Sequence, residues 1–150
     1  MKRLFSLIVL FIFMQPVSAQ DELIMVRSMQ AFPEAMTVLQ QAIQDHGYTI
    51  SRVQRVDIGL TSMGYQTDKY RVVFFGKHEQ QKIITKKHPE MIPYLPIKIA
   101  IFAEGEETIL VASNPGLLAE FFPDPELEKF FVRCASDMRS IMKQVQDTEF

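Results

Sequence analysis

The sequence predicts an α+β domain in which helices pack on one face of an antiparallel sheet. Three observations carry that expectation. Two apolar, β-branched runs, Ile97–Ala103 and Thr108–Ala112, flank a polar Glu104-Gly105-Glu106-Glu107 break, the pattern of a hairpin. Two long stretches, one near each end of the chain, repeat apolar residues at helical spacing. Between them lie short aromatic and β-branched runs closed by glycine, so the order is strand, helix, several strands, helix.

The chain starts with an export label. Lys2 and Arg3 precede an almost unbroken apolar run, Leu4–Met14; Gln15-Pro16 breaks it, and Val17-Ser18-Ala19 supplies the small residues that signal peptidase reads. Residues 1–19 are expected to be a signal peptide cleaved after Ala19, with residues 20–150 forming one exported, periplasmic domain. The apolar run is shorter than the ~20 residues a membrane span needs, and no cysteine follows the cleavage point to carry a lipid. No stable membrane anchor is therefore expected after cleavage. Without Lys2 and Arg3, 14 basic side chains remain against 18 acidic ones, a balance that gives no general attraction to nucleic acid. About 130 residues suit a single core. The lone Cys134 excludes an internal disulfide and a cysteine-based zinc ribbon.

Leu23–Met29 reads as the first strand. Phe32-Pro33-Glu34 opens a helix, since proline is tolerated at the first helical position and a carboxylate suits the N-terminal dipole. Phe32, Ala35, Met36, Leu39, Ala42, Ile43 and His46 form its inward face, and Gly47 ends it. Tyr48–Val53 reads as a second strand. Arg55–Gln66 is ambiguous, because Gly59 and Gly64 weaken any helix there. Tyr70–Phe75 has the composition of a buried strand, and Gly76 stops it.

Lys77–His88 reads as a helix with Ile83 and Ile84 inward and Lys82 and Lys86 outward. Pro93 and Pro96 hold the approach to the hairpin extended, and Asn114-Pro115-Gly116 closes its exit. Gly116–Phe122 makes a short helical turn. Asp124-Pro125-Glu126 then starts a long helix, whose inward face is Leu127, Phe130, Phe131, Cys134, Met138, Ile141, Met142 and Val145.

Several of these stretches together resemble a known family. His46-Gly47-Tyr48, Arg55-Val56-Asp57, Phe74-Phe75-Gly76, Leu95-Pro96 and Ala112-Ser113-Asn114-Pro115 are similar to the motifs of the DUF302 domain. The resemblance runs from Leu23 to Phe122. It implies a strand–helix–four-strand–helix fold of the TATA-binding-protein type, often dimeric, with no established activity. The chain departs from the pattern at three places: Ile58, Lys77-His78 and Ile97 stand where related members often carry histidine, Asn-Pro and cysteine. A histidine- or cysteine-based site would lack its polar atoms here.

No Ser-His-Asp elbow or phosphate-binding glycine loop is visible. His46, at a helix end, suits a capping role better than ligation. His78 and His88 have no third partner at zinc-type spacing, so neither a metal nor a cofactor is expected. Cys134, among Phe and Met, reads as an inert buried thiol. Glu104, Glu106 and Glu107 sit at a hairpin tip, where solvation accounts for charge. Two features remain as candidate ligand or partner surfaces. One is the basic strip Lys77, His78, Lys82, Lys86, Lys87 and His88, with a solvated helix face as the competing reading. The other is the aromatic and methionine set Phe121, Phe122, Phe130, Phe131, Met138 and Met142, which otherwise packs the long helix on the sheet.

The functional expectation is an exported, non-catalytic module that binds a partner or forms a homodimer. The alternative is a carrier of a small apolar or amphipathic ligand held between the long helix and the sheet; an enzyme ranks last. A cavity under Phe131 and Met138 would favour the carrier, and a flat apolar face the partner module.

Overall fold

A computed structural model describes residues 22–148. The signal peptide expected over residues 1–19 therefore lies outside the described residues. Five strands, β1 (Leu23–Ser28), β2 (Thr49–Arg55), β3 (Tyr70–Gly76), β4 (Ile97–Glu104) and β5 (Glu107–Ser113), form one antiparallel sheet in the order β1-β5-β4-β3-β2. Helix α1 (Phe32–Asp45) follows β1. Short helices α2 (Val56–Ser62) and α3 (His78–Lys87) lie in the connections before β3 and β4. A one-turn α4 (Leu118–Phe121) precedes the long α5 (Pro125–Asp147). The expected strand–helix–four-strand–helix order is present, with α2, α3 and α4 added to it.

The hairpin is as tight as its sequence demands. Glu104 pairs with Glu107, leaving Gly105-Glu106 as a two-residue loop, and Gly105 has φ +63°. A positive φ at the first central position alone is the pattern of a type II′ turn, whose twist matches the strands. Arg27 on β1 reaches both Glu104 and Glu107 at 2.5 Å, tying the tip to the edge strand.

Period-two alternation divides the sheet into two faces. Ile97, Ile99 and Ile101 of β4 turn to the helices with Leu110 and Ala112 of β5, Ile24 of β1, and Val73 and Phe75 of β3. Helices α1 and α5 cover this face, with Leu39, Ala42, Ile43, Phe131, Met138, Ile141 and Met142 almost fully buried. Asp124 caps α5 by accepting from the N–H groups of Glu126 (2.8 Å) and Leu127 (3.2 Å), which holds its carboxyl below the usual range. All eight residues named for the inward face of α5 are buried.

The segment after β1 meets the end of α5 in a buried polar seam. Ser28 donates to the carbonyl of Val145 (3.2 Å), Thr108 to that of Gln30 (2.9 Å), and the Gln30 amide to that of Thr148. Ser28 and Thr108 have no exposed surface, so these bonds replace water that the seam excludes. β2 forms the other edge of the sheet, where a bulge between Ile50 and Arg52 and the charges of Arg52 and Arg55 discourage further strand pairing.

Three expectations need correction. Pro93 does not hold the approach to the hairpin extended: it lies inside the 3₁₀ turn Pro89–Tyr94, whose φ its ring also suits, and the extended residue there is Leu95, before Pro96. Ile83 is 52% exposed while Ile84 is buried, because successive residues of a helix point about 100° apart and α3 offers only one narrow side to the core. Phe121 is 74% exposed and packs nothing onto the sheet; α4 is too short to turn both Phe121 and Phe122 inward. Phe122 is half-buried and meets Tyr94 edge-on at 5.7 Å.

Candidate functional site

The basic strip does not persist as a unit. Lys77 lies over the Tyr48 ring at 4.4 Å and 3.7 Å from Asp137. Lys87 pairs with Glu126 at 2.8 Å, and His88 stands 3.5–4.0 Å from Glu90, Asp124 and Glu126. His78, Lys82 and Lys86 stay outward with no ion pair among the described residues. Lys87 and His88 instead stitch the end of α3 to the start of α5. Replacing Lys82, Lys86 and Lys87 together by Gln is expected to leave the fold and self-association unchanged. Thermal unfolding within a few degrees of the parent checks this, because exposed charges contribute ~0–1 kcal/mol each. A lost oligomer or lost ligand would restore the strip as a working surface.

Phe131 and Met138 also separate. Phe131 is wholly buried, edge-on to Phe130 at 5.2 Å, and belongs to the core rather than to a surface. Met138 is buried too, yet its side chain reaches the floor of a cleft.

One cluster has the makings of chemistry. Tyr48 donates to Asp137 at 2.8 Å, Lys77 stands beside both, and Cys134 lies against Tyr48. Burial pushes the Cys134 thiol up to about 11 and, more than its other neighbours do, raises the Tyr48 hydroxyl as well. Both shifts move titration away from neutrality, the reverse of what a nucleophile or base requires. The folded state therefore holds the thiol proton more tightly than the unfolded chain. The stability this contributes is complete below the unfolded thiol's pKa and is lost as pH rises towards 11. His46 caps α1 as its position predicted: Nδ1 lies 2.8 Å from the Ala42 carbonyl and Nε2 3.0 Å from the Ser140 hydroxyl. Facing a carbonyl, Nδ1 carries the hydrogen, and in the neutral ring Nε2 accepts from Ser140.

The best-formed concavity is a cleft of about 490 Å³ where β4 begins and β5 ends. The 3₁₀ turn Pro89–Tyr94 and the Leu95-Pro96 step border one side, the Pro115–Leu117 turn and α4 the other, and Met138 the floor. On this wall only Leu95, the residue before Pro96, is extended, since Pro93 belongs to the 3₁₀ turn. On the other wall Asn114 folds its side chain back to accept from the Gly116 N–H at 2.9 Å, forming the turn that carries Leu117 and Leu118. Two stretches that carried the family resemblance, Leu95-Pro96 and Asn114-Pro115, thus converge here from separate parts of the chain. The cleft reaches Met138 but not Phe131.

Next to it lies the sheet face without helices. Leu23, Met25, Val72, Phe74, Ala100, Phe102, Ile109 and Val111 share this face by register. Leu23 is 55% and Met25 61% exposed. Arg27, Lys98, Arg52 and Gln54 lie around the apolar centre. No single residue of this surface stands out in the sequence; the strand alternation places apolar side chains on both sides, and only topology shows which side α1 and α5 leave open.

Among the described residues no group of three or more His, Cys, Asp or Glu could hold a metal ion, and no helix is long and apolar enough to cross a membrane. The comparisons agree with the architecture. The family model for DUF302, a domain of unknown function, matches residues 24–147, which extends the resemblance through α5. Among solved structures, the chain is similar to an uncharacterized conserved protein DUF302 from Bacillus stearothermophilus. The TM-score is 0.75 at 13% identity, over 84% of this chain and 99% of that one. No curated protein matches. A family model spanning nearly all of the described residues, and a shared fold across the whole of a solved member, lead to one conclusion: the chain belongs to the DUF302 family.

Proposed function

We propose that this protein is an exported, non-catalytic α+β module that acts in the periplasm by self-association, two copies meeting through their open sheet faces. The observation that carries this reading is the apolar centre of that face, uncovered by α1 and α5 and surrounded by charged and polar residues. Contiguous apolar surface of this kind, with a polar rim, is typical of interfaces and uncommon on monomers. Five strands about 4.8 Å apart, with six to eight residues rising about 3.3 Å each, give a patch ~20 Å across in both directions. Sheets stack face to face at ~10 Å, which lets Met25, Val111 and Phe102 interdigitate with their copies. The pairing of Arg27 with Glu104 and Glu107 leaves little net charge at that margin to repel a second copy. The raised thiol and phenol, which titrate away from neutrality, favour a role without catalysis at that cluster.

Sedimentation velocity of the purified protein tests the reading. The expected result is a dimer at micromolar concentration, with Val111→Arg or Met25→Arg weakening it at least about thirtyfold, the scale of a central anchor, and leaving the fold intact. A parent protein that stays monomeric at tens of micromolar would sink the proposal.

A further inference from the structure

We infer that the cleft between the Leu95-Pro96 step and α4 binds a single-chain alkyl carboxylate, its chain lying towards Met138 and its head at Lys98. Fourteen residues line this cleft, and most of them are apolar, Phe74, Ile97, Leu118 and Met138 among them. One side chain among the fourteen is charged, and it is positive: Lys98. No Asp or Glu lines the cleft, in a protein whose acidic residues outnumber its basic ones.

Lys98 lies opposite Phe74 in the β3–β4 register, at the mouth, and makes no ion pair among the described residues. The hydroxyls of Ser113 and Tyr94 border the same opening and donate to nothing among the described residues. An apolar trough with one free ammonium and two free hydroxyls at its rim complements a ligand that is apolar over its length and singly negative at one end. A phosphate dianion would leave a charge unmatched, and an uncharged hydrocarbon would leave Lys98 unused. The volume lies within the ~300–1,000 Å³ of small-molecule sites, which suits one alkyl chain rather than a diacyl lipid.

The inference does not depend on self-association, and its test uses different residues. Decanoate, octanoate and decanol are titrated calorimetrically into the purified full chain and into Lys98→Gln, with sedimentation recorded alongside. Saturable binding of one decanoate per chain is expected. Octanoate, two methylenes shorter, should bind about fifteenfold more weakly, since each buried methylene contributes about fourfold. Lys98→Gln should weaken decanoate about threefold to tenfold and leave decanol unchanged, and added salt should act on decanoate alone. Lys98 is exposed, so this variant keeps its fold, and an unaltered circular dichroism spectrum checks that.

Equal decanoate affinity in Lys98→Gln would overturn the inference. So would binding to vesicles of anionic diacyl lipid in place of decanoate. Absence of decanoate binding would also overturn it, and Phe121→Ala dissociating a dimer would then assign the cleft to a second copy.

Discussion

Phe131→Ala is expected to destabilise the protein by roughly 3–5 kcal/mol, the usual cost of truncating a fully buried aromatic side chain. The ring has no exposed surface, packs edge-on to Phe130, and sits in the second turn of the long helix α5. Its loss leaves a cavity whose walls are strands and α1, which cannot close in without moving the sheet. For a domain of this size the melting temperature should fall ~10–20 °C, and reduced accumulation should follow because total stability is only ~5–15 kcal/mol. Thermal or urea unfolding measures it. A variant as stable as the parent that loses its dimer would return Phe131 to the interaction surface.

Phe75→Ala should cost a similar ~3–5 kcal/mol and has a second, chemical readout. Phe75 is fully buried on the helix side of β3 and meets Tyr48 edge-on at 5.4 Å. Tyr48 in turn holds Asp137, and Cys134 lies behind it. Cys134 in the parent should react slowly with a maleimide, since the thiol is buried and almost wholly protonated near neutral pH. In Phe75→Ala the rate should rise by at least about a hundredfold, because labelling then follows the enlarged population of opened molecules. Unfolding energetics and labelling rate are read from the same preparation. Fast labelling of the parent would show that the thiol is not enclosed as described.

The parts of this fold that were legible in the sequence are those in which one periodicity prevails. Along α5 the 3.6-residue repeat is unbroken from Leu127 to Val145, and along the hairpin the alternation of Ile97, Ile99 and Ile101 is equally plain. Ile83 and Phe121 were harder, since each adjoins another apolar residue and the repeat cannot say which of the two faces in. The pairs that dissolve the basic strip, Lys77 with Asp137 and Lys87 with Glu126, join residues far apart in the chain and leave no local signal. The open sheet face was hidden for another reason. Tyr70–Gly76 has the composition of a strand covered on both sides, yet Val72 and Phe74 point away from the helices. Composition registers that a side chain is apolar, whatever is meant to cover it. The cleft combines three remote segments, and its Lys98 reads in the sequence as a routine outward residue of an alternating strand.

The pairing of β1 with β5 also governs when the domain can be complete. Every rung of that ladder joins residues at least 80 positions apart, from Ser28 with Thr108 to Leu23 with Ser113. The other three ladders join strands that are neighbours in the chain. A chain that appears N-terminus first therefore carries β1 without a partner until about three-quarters of the molecule has been made. The seam from Ser28 and Gln30 to Val145 and Thr148 waits for almost all of it. Closing so long a loop is entropically slow, so the earliest strand is the last to find its place. A polypeptide built this way leaves its first strand open to other partners for most of its synthesis, while the β2–β5 ladders can already form.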